Sequence, residues 1–284
     1  MSVQKVGVVG CGLMGSGIVE VSARAGYDVV VREINDEILE KGLGRIRKSM
    51  SRAVDRGKMS QEEMDATMSR ITGTVEMGDF SDRDLVIEAA IENMEVKKGI
   101  FRQLDEITPA SIVLASNTSS LSITEMASVT QRPDKVVGMH FFNPVPVLPL
   151  LEVVRGFLTS EETLQAAREF GESVGKTIVL APKDNPGFIV NLLFVPYGLD
   201  AIRALENGVA TKEDIDTAMK LGMNHPMGPF ILMDFVGLDT MLYVADAMYE
   251  EYRDPRYAAP PLLRRMVTAG YLGRKSGKGF YDYS

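Results

Sequence analysis

The side chains best suited to proton transfer in this sequence are a histidine and a glutamate twelve residues apart, His140 and Glu152. Histidine is the side chain that changes charge nearest neutral pH, and the chain contains only two histidines. His140 lies near the end of an apolar run at residues 136–142, and Glu152 lies in the next run, at residues 151–154. If a loop turns the chain back between these runs, the carboxylate can fix the tautomer of the imidazole and stabilise its protonated form. The pair could then accept the proton of an alcohol.

Two further polar side chains could hold the oxygen of such an alcohol. Ser119 follows an apolar run, and Asn191 lies at the start of a helical pattern, where asparagine has poor propensity. Hydroxyl and amide groups of this kind can keep a substrate oxygen in line with a base. Taken singly, each candidate also has a structural explanation: a satisfied core histidine, a glutamate at a strand edge or an asparagine at a helix start. We expect the second histidine, His225, to be structural.

A glycine-rich segment follows the first apolar run and opens a helical pattern; it reads Gly10-Cys11-Gly12-Leu13-Met14-Gly15. Its glycines permit a tight turn, close approach of the backbone to a pyrophosphate, and close packing of helix on strand. The helix start then offers N–H groups and its positive dipole end to the phosphates. Glu33, at the end of the second run, can accept hydrogen bonds from a ribose 2′-hydroxyl and would repel a 2′-phosphate. We expect NAD rather than NADP, although Arg32 could weaken that discrimination. A glycine-rich turn without a ligand is the alternative.

Apolar runs alternate with helical patterns up to residue 181, which is typical of a parallel sheet covered by helices. The runs lie at residues 5–9, 28–32, 85–90, 112–116, 136–142, 151–154 and 177–181, with a weaker one at 71–75. Capping-box spacing marks helix starts at Ser60, Ser122 and Thr159. We expect an α/β fold with a doubly wound, Rossmann-type parallel sheet.

The alternation ends at a turn-rich segment, residues 182–187, and only helical patterns follow. These patterns lie at residues 191–206, 212–221, 238–251 and 261–268. A chain of 284 residues usually exceeds one compact core, so two domains are expected. We predict an NAD-binding domain at residues 1–182 and a smaller, all-helical C-terminal domain at residues 183–284.

Composition excludes several classes of function. A net charge of −8 argues against nonspecific binding of nucleic acid. No membrane-spanning segment is expected, because the longest candidate that is both apolar and uncharged, residues 136–151, contains three prolines. The single cysteine, Cys11, cannot form an internal disulfide, and the spacing of Cys and His residues does not suit a metal site. A cytoplasmic protein without a metal is expected.

Six segments together resemble the 3-hydroxyacyl-CoA dehydrogenase family in order and spacing, over almost the whole chain. They are residues 10–15, 117–119, 140–144, 151–153, 186–191 and 224–229. The sequence looks most similar to the short, stand-alone bacterial 3-hydroxybutyryl-CoA dehydrogenases. The resemblance implies reversible, NAD-dependent oxidation of a short-chain (3S)-3-hydroxyacyl-CoA thioester by a homodimer. The preferred chain length stays open, because Leu148, Pro149 and Leu192 differ from the residues common in the family.

The resemblance also implies roles for individual residues. His140 would be the general base, Glu152 its partner, and Ser119 and Asn191 the ligands of the substrate oxygen. Beyond the glycine-rich segment, the implied cofactor contacts are Glu33, Glu92, Lys97, Ser119, Asn143 and Lys275. The implied contacts with CoA match Ser49 and Arg56.

A helical pattern at residues 36–57 carries basic residues at steps of three or four, on one face; they are Lys41, Arg45, Lys48, Arg52 and Arg56. This basic face is either the solvated side of an amphipathic helix or a surface that binds the phosphates of CoA. The resemblance favours the second interpretation through Ser49 and Arg56. We add Arg52, which lies on the same face, to the predicted contacts.

Two other functions are compatible with parts of this pattern. A dehydrogenase of a free hydroxy acid or sugar acid would not need the basic face. A noncatalytic, crystallin-like NAD-binding protein would not need Ser119, His140, Glu152 and Asn191 together. The thioester dehydrogenase accounts for both features.

Overall fold

The apolar runs of the first part of the chain form the strands of one sheet in the computed structural model, which describes residues 3–284. The strands are β1 Lys5–Val9, β2 Asp28–Arg32, β3 Ile71–Thr74, β4 Leu85–Glu88, β5 Val113–Ser116, β6 Val136–Phe141, β7 Leu150–Val154 and β8 Thr177–Ala181. Within the described residues their order is β3-β2-β1-β4-β5-β6-β7-β8. Strands β1 to β6 pair in parallel, which confirms the doubly wound prediction. Strand β7 runs antiparallel to β6, and β8 runs parallel to β7.

The chain divides into two units, Met1–Asp184 and Asn185–Ser284. Met1 and Ser2, which begin the predicted first domain, lie outside the described residues. Among residues 3–284, none of the helices has the length and apolar character that crossing a bilayer requires.

The α-helices of the first unit are α1 Leu13–Arg24, α2 Asp36–Asp55, α3 Gln61–Met68, α4 Met94–Ile107, α5 Ile123–Ala127 and α6 Glu161–Ser173. Side chains cap the free N–H groups at the start of each of these helices except α1, whose N-cap is Gly12. Ser60 forms the predicted capping box with Glu63. The prediction at Thr159 is wrong by one residue, because Ser160 caps α6 while the Thr159 hydroxyl donates to the carbonyl of Val136.

The core of the first unit explains why its strands are almost continuously apolar. Side chains such as Val8, Val31 and Ile87 are fully buried, because helices cover both faces of a doubly wound sheet. Helix α2 adds Ile46 and Met50 to the same core. These contacts fix the strand ends from which the polar segments emerge.

The second unit contains helices α7 Val190–Glu206, α8 Lys212–Gly222, α9 Pro229–Val236, α10 Leu238–Tyr252 and α11 Pro261–Thr268. The all-helical prediction is confirmed, and α9 is a helix that the periodicity did not reveal. Its sequence is apolar on nearly every face, so a helical period is not visible in it. Buried Met233, Met241 and Met248 fill much of the core around α7.

Two buried aspartates connect helices of the second unit with the C-terminal segment. Asp216 on α8 accepts the N–H groups of Phe230 and Ile231, which begin α9, at 2.8 and 3.2 Å. Asp234, 1% exposed, accepts the N–H groups of Phe280 and Tyr281 at 2.9 Å each and the hydroxyl of Tyr283 at 3.0 Å. These carboxylates supply acceptors that the backbone would otherwise lack.

We expect Asp234→Ala to lower the stability of the second unit by about 3 kcal/mol, because it leaves the buried N–H of Phe280 and the half-buried N–H of Tyr281 without an acceptor. Differential scanning calorimetry should show a melting temperature lower by about 10 °C. The matched control is Asp246→Ala, which breaks an ion pair with Arg264 in which both side chains are 42% exposed or more. That control should cost about 1 kcal/mol or less. Equal losses in the two variants would contradict the role given to Asp234.

Candidate active site

The reversal of chain direction at β7 places Glu152 directly opposite His140 in the register of the sheet. The His140 Nδ1 and Glu152 Oε2 atoms lie 2.7 Å apart, and the residues are 6% and 0% exposed. The ring of Phe142 packs against the imidazole with centroids 4.5 Å apart. When Nδ1–H donates to the carboxylate, Nε2 is the basic nitrogen of the ring. This arrangement suits a general base that Glu152 orients and stabilises when protonated.

A buried lysine holds the loop that makes this reversal possible. Lys176, 8% exposed, donates from Nζ to the carbonyls of Val145 and Leu148, the latter at 2.8 Å. On the other side, a Cβ at Gly17 of α1 would lie 2.7 Å from the Cβ of Val145, so glycine is needed there for the loop to pack on α1. Burial lowers the pKa of Lys176, and the charge of Arg24 lowers it further. The loop is therefore fixed from two sides, and its exposed Asn143 stays at the end of β6.

The segment after β5 is tied to the neighbouring strands. Asn117 Oδ1 accepts the N–H of Phe141, the residue after His140, at 2.9 Å. The N–H and hydroxyl of half-buried Ser119 donate to Glu92 Oε1 at 2.9 and 3.3 Å. Ser119 and His140 thus emerge at the carboxyl edge of adjacent parallel strands, where ligands bind in open α/β sheets.

Glu92 and Lys97 lie together beside this segment. Lys97 Nζ is 3.2 Å from Glu92 Oε2, and the lysine side chain is 1% exposed. Burial acts to raise the pKa of Glu92, but the Lys97 ammonium and the donors on Thr118 and Ser119 hold that pKa below its usual value. Glu92 is therefore a carboxylate at neutral pH.

The glycine-rich segment has a shape that a dinucleotide requires. A Cβ at Gly10, where φ is +100°, would lie 2.6 Å from the carbonyl oxygen of Ala89, and one at Gly15 would lie 1.9 Å from that of Gly10. Gly12 differs, because a Cβ there would meet nothing within 4 Å. Gly12 is also the N-cap of α1, whose first residue, Leu13, is 64% exposed. Open space in front of backbone N–H groups at a helix start fits a pyrophosphate.

Glu33, the residue predicted to bind a ribose, also contacts the glycine-rich segment. Its Oε1 atom accepts the N–H of Cys11 at 2.6 Å, and Oε2 accepts the N–H of Ile34 at 3.2 Å. The neighbouring Arg32 donates from Nε to the carbonyl of Val75 at 3.1 Å. The carboxylate is thus oriented toward the glycine-rich segment, and the guanidinium is engaged by the chain after β3.

Helix α2, which carries the predicted basic face, lies directly on the glycine-rich segment. A Cβ at Gly42 would be 2.3 Å from the sulfur of Cys11, and Arg45 donates to the Cys11 carbonyl at 3.1 Å. The remaining basic residues are exposed, and Lys41 pairs with Glu37 at 2.6 Å. Lys48, Arg52 and Arg56 are exposed, and none of the contacts described above involves them.

Ser49, on the buried flank of this face, bonds to a buried carboxylate. Its hydroxyl forms a hydrogen bond with Glu20, which is 2% exposed and lies 3.5 Å from Arg24. Burial raises the pKa of Glu20, and the Ser49 and Arg24 contacts oppose that rise. Ser49 therefore links α2 to α1.

Asn191 and Lys275 belong to the second unit. Asn191 is the second residue of α7 and is half-buried. Lys275 is exposed and its ammonium is 2.6 Å from Asp239 Oδ2. His225 contacts Tyr197 in the same unit, with the hydroxyl 3.4 Å from Nδ1.

Comparison with known proteins identifies both units. The family model described as 3-hydroxyacyl-CoA dehydrogenase, NAD binding domain, matches residues 5–185, and the C-terminal domain of the same family matches residues 187–283. A 3-hydroxybutyryl-CoA dehydrogenase of Mycobacterium tuberculosis is 52% identical over 284 residues, which is 99% of each chain. The human mitochondrial hydroxyacyl-coenzyme A dehydrogenase is 43% identical over 99% of this chain and 91% of its own. The crystal structure of (S)-3-hydroxybutyryl-CoA dehydrogenase from Ralstonia eutropha covers 100% of both chains with a TM-score of 0.94 and 44% identity.

We expect the thiol of Cys11 to resist alkylation in the folded protein at pH 8. Burial raises the pKa of Cys11 to about 12, with the charge of Glu33 adding to the rise and that of Arg45 opposing it. Thiolate is the reactive form, and about one part in 10⁴ is ionised four pH units below the pKa. Iodoacetamide labelling followed by mass spectrometry should show rapid modification only in urea. Because the folded pKa exceeds the unfolded one, this group should reduce stability as the pH rises above about 9. Rapid labelling of the folded protein would contradict the buried position.

Proposed function

This chain belongs to the 3-hydroxyacyl-CoA dehydrogenase family, and from that premise we propose that it oxidises (3S)-3-hydroxybutyryl-CoA, or a similar short-chain thioester, and catalyses the reverse reduction. The observation that carries the proposal is the buried pair His140 and Glu152 at the carboxyl edge of an NAD-binding sheet. Relatives named for this substrate align over nearly their whole length, which supports the choice of thioester.

NAD is the cofactor, and the glycine-rich segment fits its pyrophosphate because Gly12 leaves space before the uncapped start of α1. We assign the adenosine ribose to Glu33 and include Glu92, Ser119 and Asn143 among the contacts of the other half. Lys97 would act from behind Glu92, since its ammonium is buried. The contact implied for Lys275 stays a prediction. Bound NAD supplies the acceptor for the hydride that leaves C3 of the substrate.

The proton is handled by the residues of this chain. In the oxidation, His140 Nε2 accepts the proton of the 3-hydroxyl while Glu152 holds Nδ1–H and stabilises the imidazolium. The Ser119 hydroxyl holds the substrate oxygen; its contact with Glu92 is long at 3.3 Å, so the hydroxyl can turn toward a ligand. In the reduction His140 returns the proton. Asn191 stays a predicted second ligand of the oxygen.

We assign the phosphates of CoA to Arg52 and Arg56 on the basic face of α2. Both are exposed, and the negative charge of the whole protein would otherwise repel a polyanionic substrate. Ser49 stays a predicted contact, although its hydroxyl is engaged by Glu20.

We also propose a homodimer in which the second unit supplies the interface. The large exposed apolar side chains of that unit are the candidates for the interface, because contact surfaces are built from contiguous patches of such side chains. In the second unit they include Leu193, Val209, Leu221 and Met223. A cytoplasmic location stays a prediction from the single free cysteine.

The proposed reaction is tested by following NADH oxidation with acetoacetyl-CoA, a longer 3-ketoacyl-CoA and free acetoacetate under the same conditions. The wild type should reduce the short thioester best. His140→Gln should lower kcat by ~10²-fold or more while NADH binding, measured by fluorescence, is kept. The matched control is His225→Gln, which changes the other histidine and should keep turnover near that of the wild type. Equal turnover of free acetoacetate would refute the thioester assignment, and normal turnover by His140→Gln would place the base elsewhere.

The assignment of CoA predicts that changing Arg52 and Arg56 together to Glu raises KM for acetoacetyl-CoA strongly. The same change should hardly affect acetoacetyl-pantetheine, which lacks the nucleotide. Added salt should reduce the advantage of the CoA ester, because exposed charges are screened beyond ~10 Å at 0.1 M ionic strength. Arg47→Glu is the control, since Arg47 is exposed on another face of α2. An unchanged KM in the folded double variant would mean that the basic face is only solvated.

A further inference from the structure

We propose that Glu88, a carboxylate in the interior of the sheet, is a positioning residue for the reaction. It fixes Lys97, which fixes Glu92, which in turn fixes Ser119. The inference rests on the proposed function, which gives Ser119 the substrate oxygen. Glu88 itself lies outside the set of residues that the sequence singled out.

Glu88 is fully buried at the end of β4 and has a complete set of hydrogen bonds. Lys97 Nζ lies 2.7 and 2.9 Å from its two oxygens, the Ser116 hydroxyl donates at 2.6 Å, and the Ala90 N–H donates at 2.6 Å. Burying such a pair gains little over an apolar pair of the same size, because both charges lose their hydration. Stability alone therefore does not account for a glutamate at this position.

The donors of Lys97 are all directed at carboxylates. Two of its N–H groups meet the oxygens of Glu88, and Glu92 Oε2 lies 3.2 Å from the same nitrogen. An ammonium has three N–H groups, so these three contacts use its full donor capacity. Lys97 is therefore a rigid connector between an interior carboxylate and one that is 25% exposed.

Glu92 passes this constraint to the segment after β5. While Oε2 faces Lys97, Oε1 accepts the Thr118 hydroxyl at 2.6 Å and the Ser119 N–H at 2.9 Å. The Ser119 hydroxyl lies 3.3 Å from the same oxygen. A rotation of the Glu92 carboxylate would thus move both the backbone and the hydroxyl of Ser119.

Glu88 also reaches this segment by a second route. Ser116, which donates to the Glu88 side chain, accepts the N–H of Thr118 at 3.2 Å, and the Asn117 N–H donates to the Glu88 carbonyl at 2.8 Å. Asn117 then accepts the N–H of Phe141, next to the catalytic histidine. One interior residue therefore anchors both sides of the segment that carries Ser119.

The test is a double-mutant cycle of Glu88→Gln and Lys97→Met, with kcat, KM for acetoacetyl-CoA and melting temperature measured for each variant. Glu88→Gln keeps the shape but leaves Glu92 as the only carboxylate beside the Lys97 ammonium. We expect kcat to fall by ~10 to 10²-fold with KM within about threefold, since small displacements of a positioned group cost this much. In the double variant both members of the buried Glu88–Lys97 pair are neutral and Glu92 keeps its Thr118 and Ser119 donors, so the melting temperature should recover while kcat stays at the level of the single variants. If Glu88 had only a structural role, both the melting temperature and kcat would recover in the double variant.

The matched control is Asp105→Asn, because Asp105 lies on the same helix, α4, and forms another buried ion pair, with Arg132 at 2.7 Å. It should lower the melting temperature and leave kcat unchanged. If Glu88→Gln does not fold, the double variant supplies the rate. A folded variant with Gln at position 88 and a kcat within threefold of the wild type would overturn the inference, as would recovery of kcat in the double variant. A wild type that does not turn over acetoacetyl-CoA would instead refute the proposed function.

Discussion

The reversal of β7 against β6 is the constraint on which the site depends. Eight residues, 142–149, separate the two strands, so the chain returns at once and Glu152 comes to lie opposite His140. A crossover to a parallel strand would have needed a dozen or more residues, and β7 would then have run in the same direction as β6. The short loop must then be held in one shape, and the contacts of Lys176 and the missing Cβ of Gly17 do this. Gly17 of α1 thus helps to set the geometry of the pair that we propose for proton transfer.

Several charged side chains of this protein are buried, and their hydrogen-bond partners distinguish the ones that serve only the fold from the one that leads to the proposed site. Asp105 with Arg132 and Asp234 with the C-terminal segment satisfy groups that belong to the fold, and their contacts end there. Glu88 also has all its partners, but these lead through Lys97 to a carboxylate at the sheet edge. Because a half-satisfied buried network is costly, removing one member leaves the others to rearrange. The roles therefore differ in which part of the protein would rearrange. Removing Asp105 or Asp234 would disturb the fold locally, whereas removing Glu88 would also disturb the carboxylate at the sheet edge.

The sequence predicts the strands well because both faces of the sheet are covered, which makes each strand an apolar run with clear ends. Where a polar side chain bends back, the sequence predicts too long a strand. The apolar run at residues 85–90 predicts a β4 that reaches residue 90, but the strand ends at Glu88, whose carboxylate accepts the N–H of Ala90. The glycine spacing and the order of the motifs indicate the cofactor and the family. The connection from Glu88 to Ser119 has no sequence signal, because a glutamate that ends an apolar run is typical of any strand edge. Similarly, periodicity puts Arg45 on the basic face but does not show that it binds the Cys11 carbonyl.

That last contact gives α2 a structural role that must be compatible with the role proposed for its basic face. At Gly42 and Arg45 the helix touches the glycine-rich segment, while Arg52 and Arg56 near its C-terminal end face solvent. A helix rises about 1.5 Å per residue, so Arg56 lies roughly 16 Å along the axis from Arg45. The helical geometry fixes this distance, and the buried apolar side of α2 keeps the helix packed on the core of the first unit. A substitution at Gly42 would push the helix off Cys11 and would therefore displace the basic face together with the segment proposed to bind the pyrophosphate. Cofactor and thioester binding should consequently respond together to changes at this contact, although the residues assigned to each are separate.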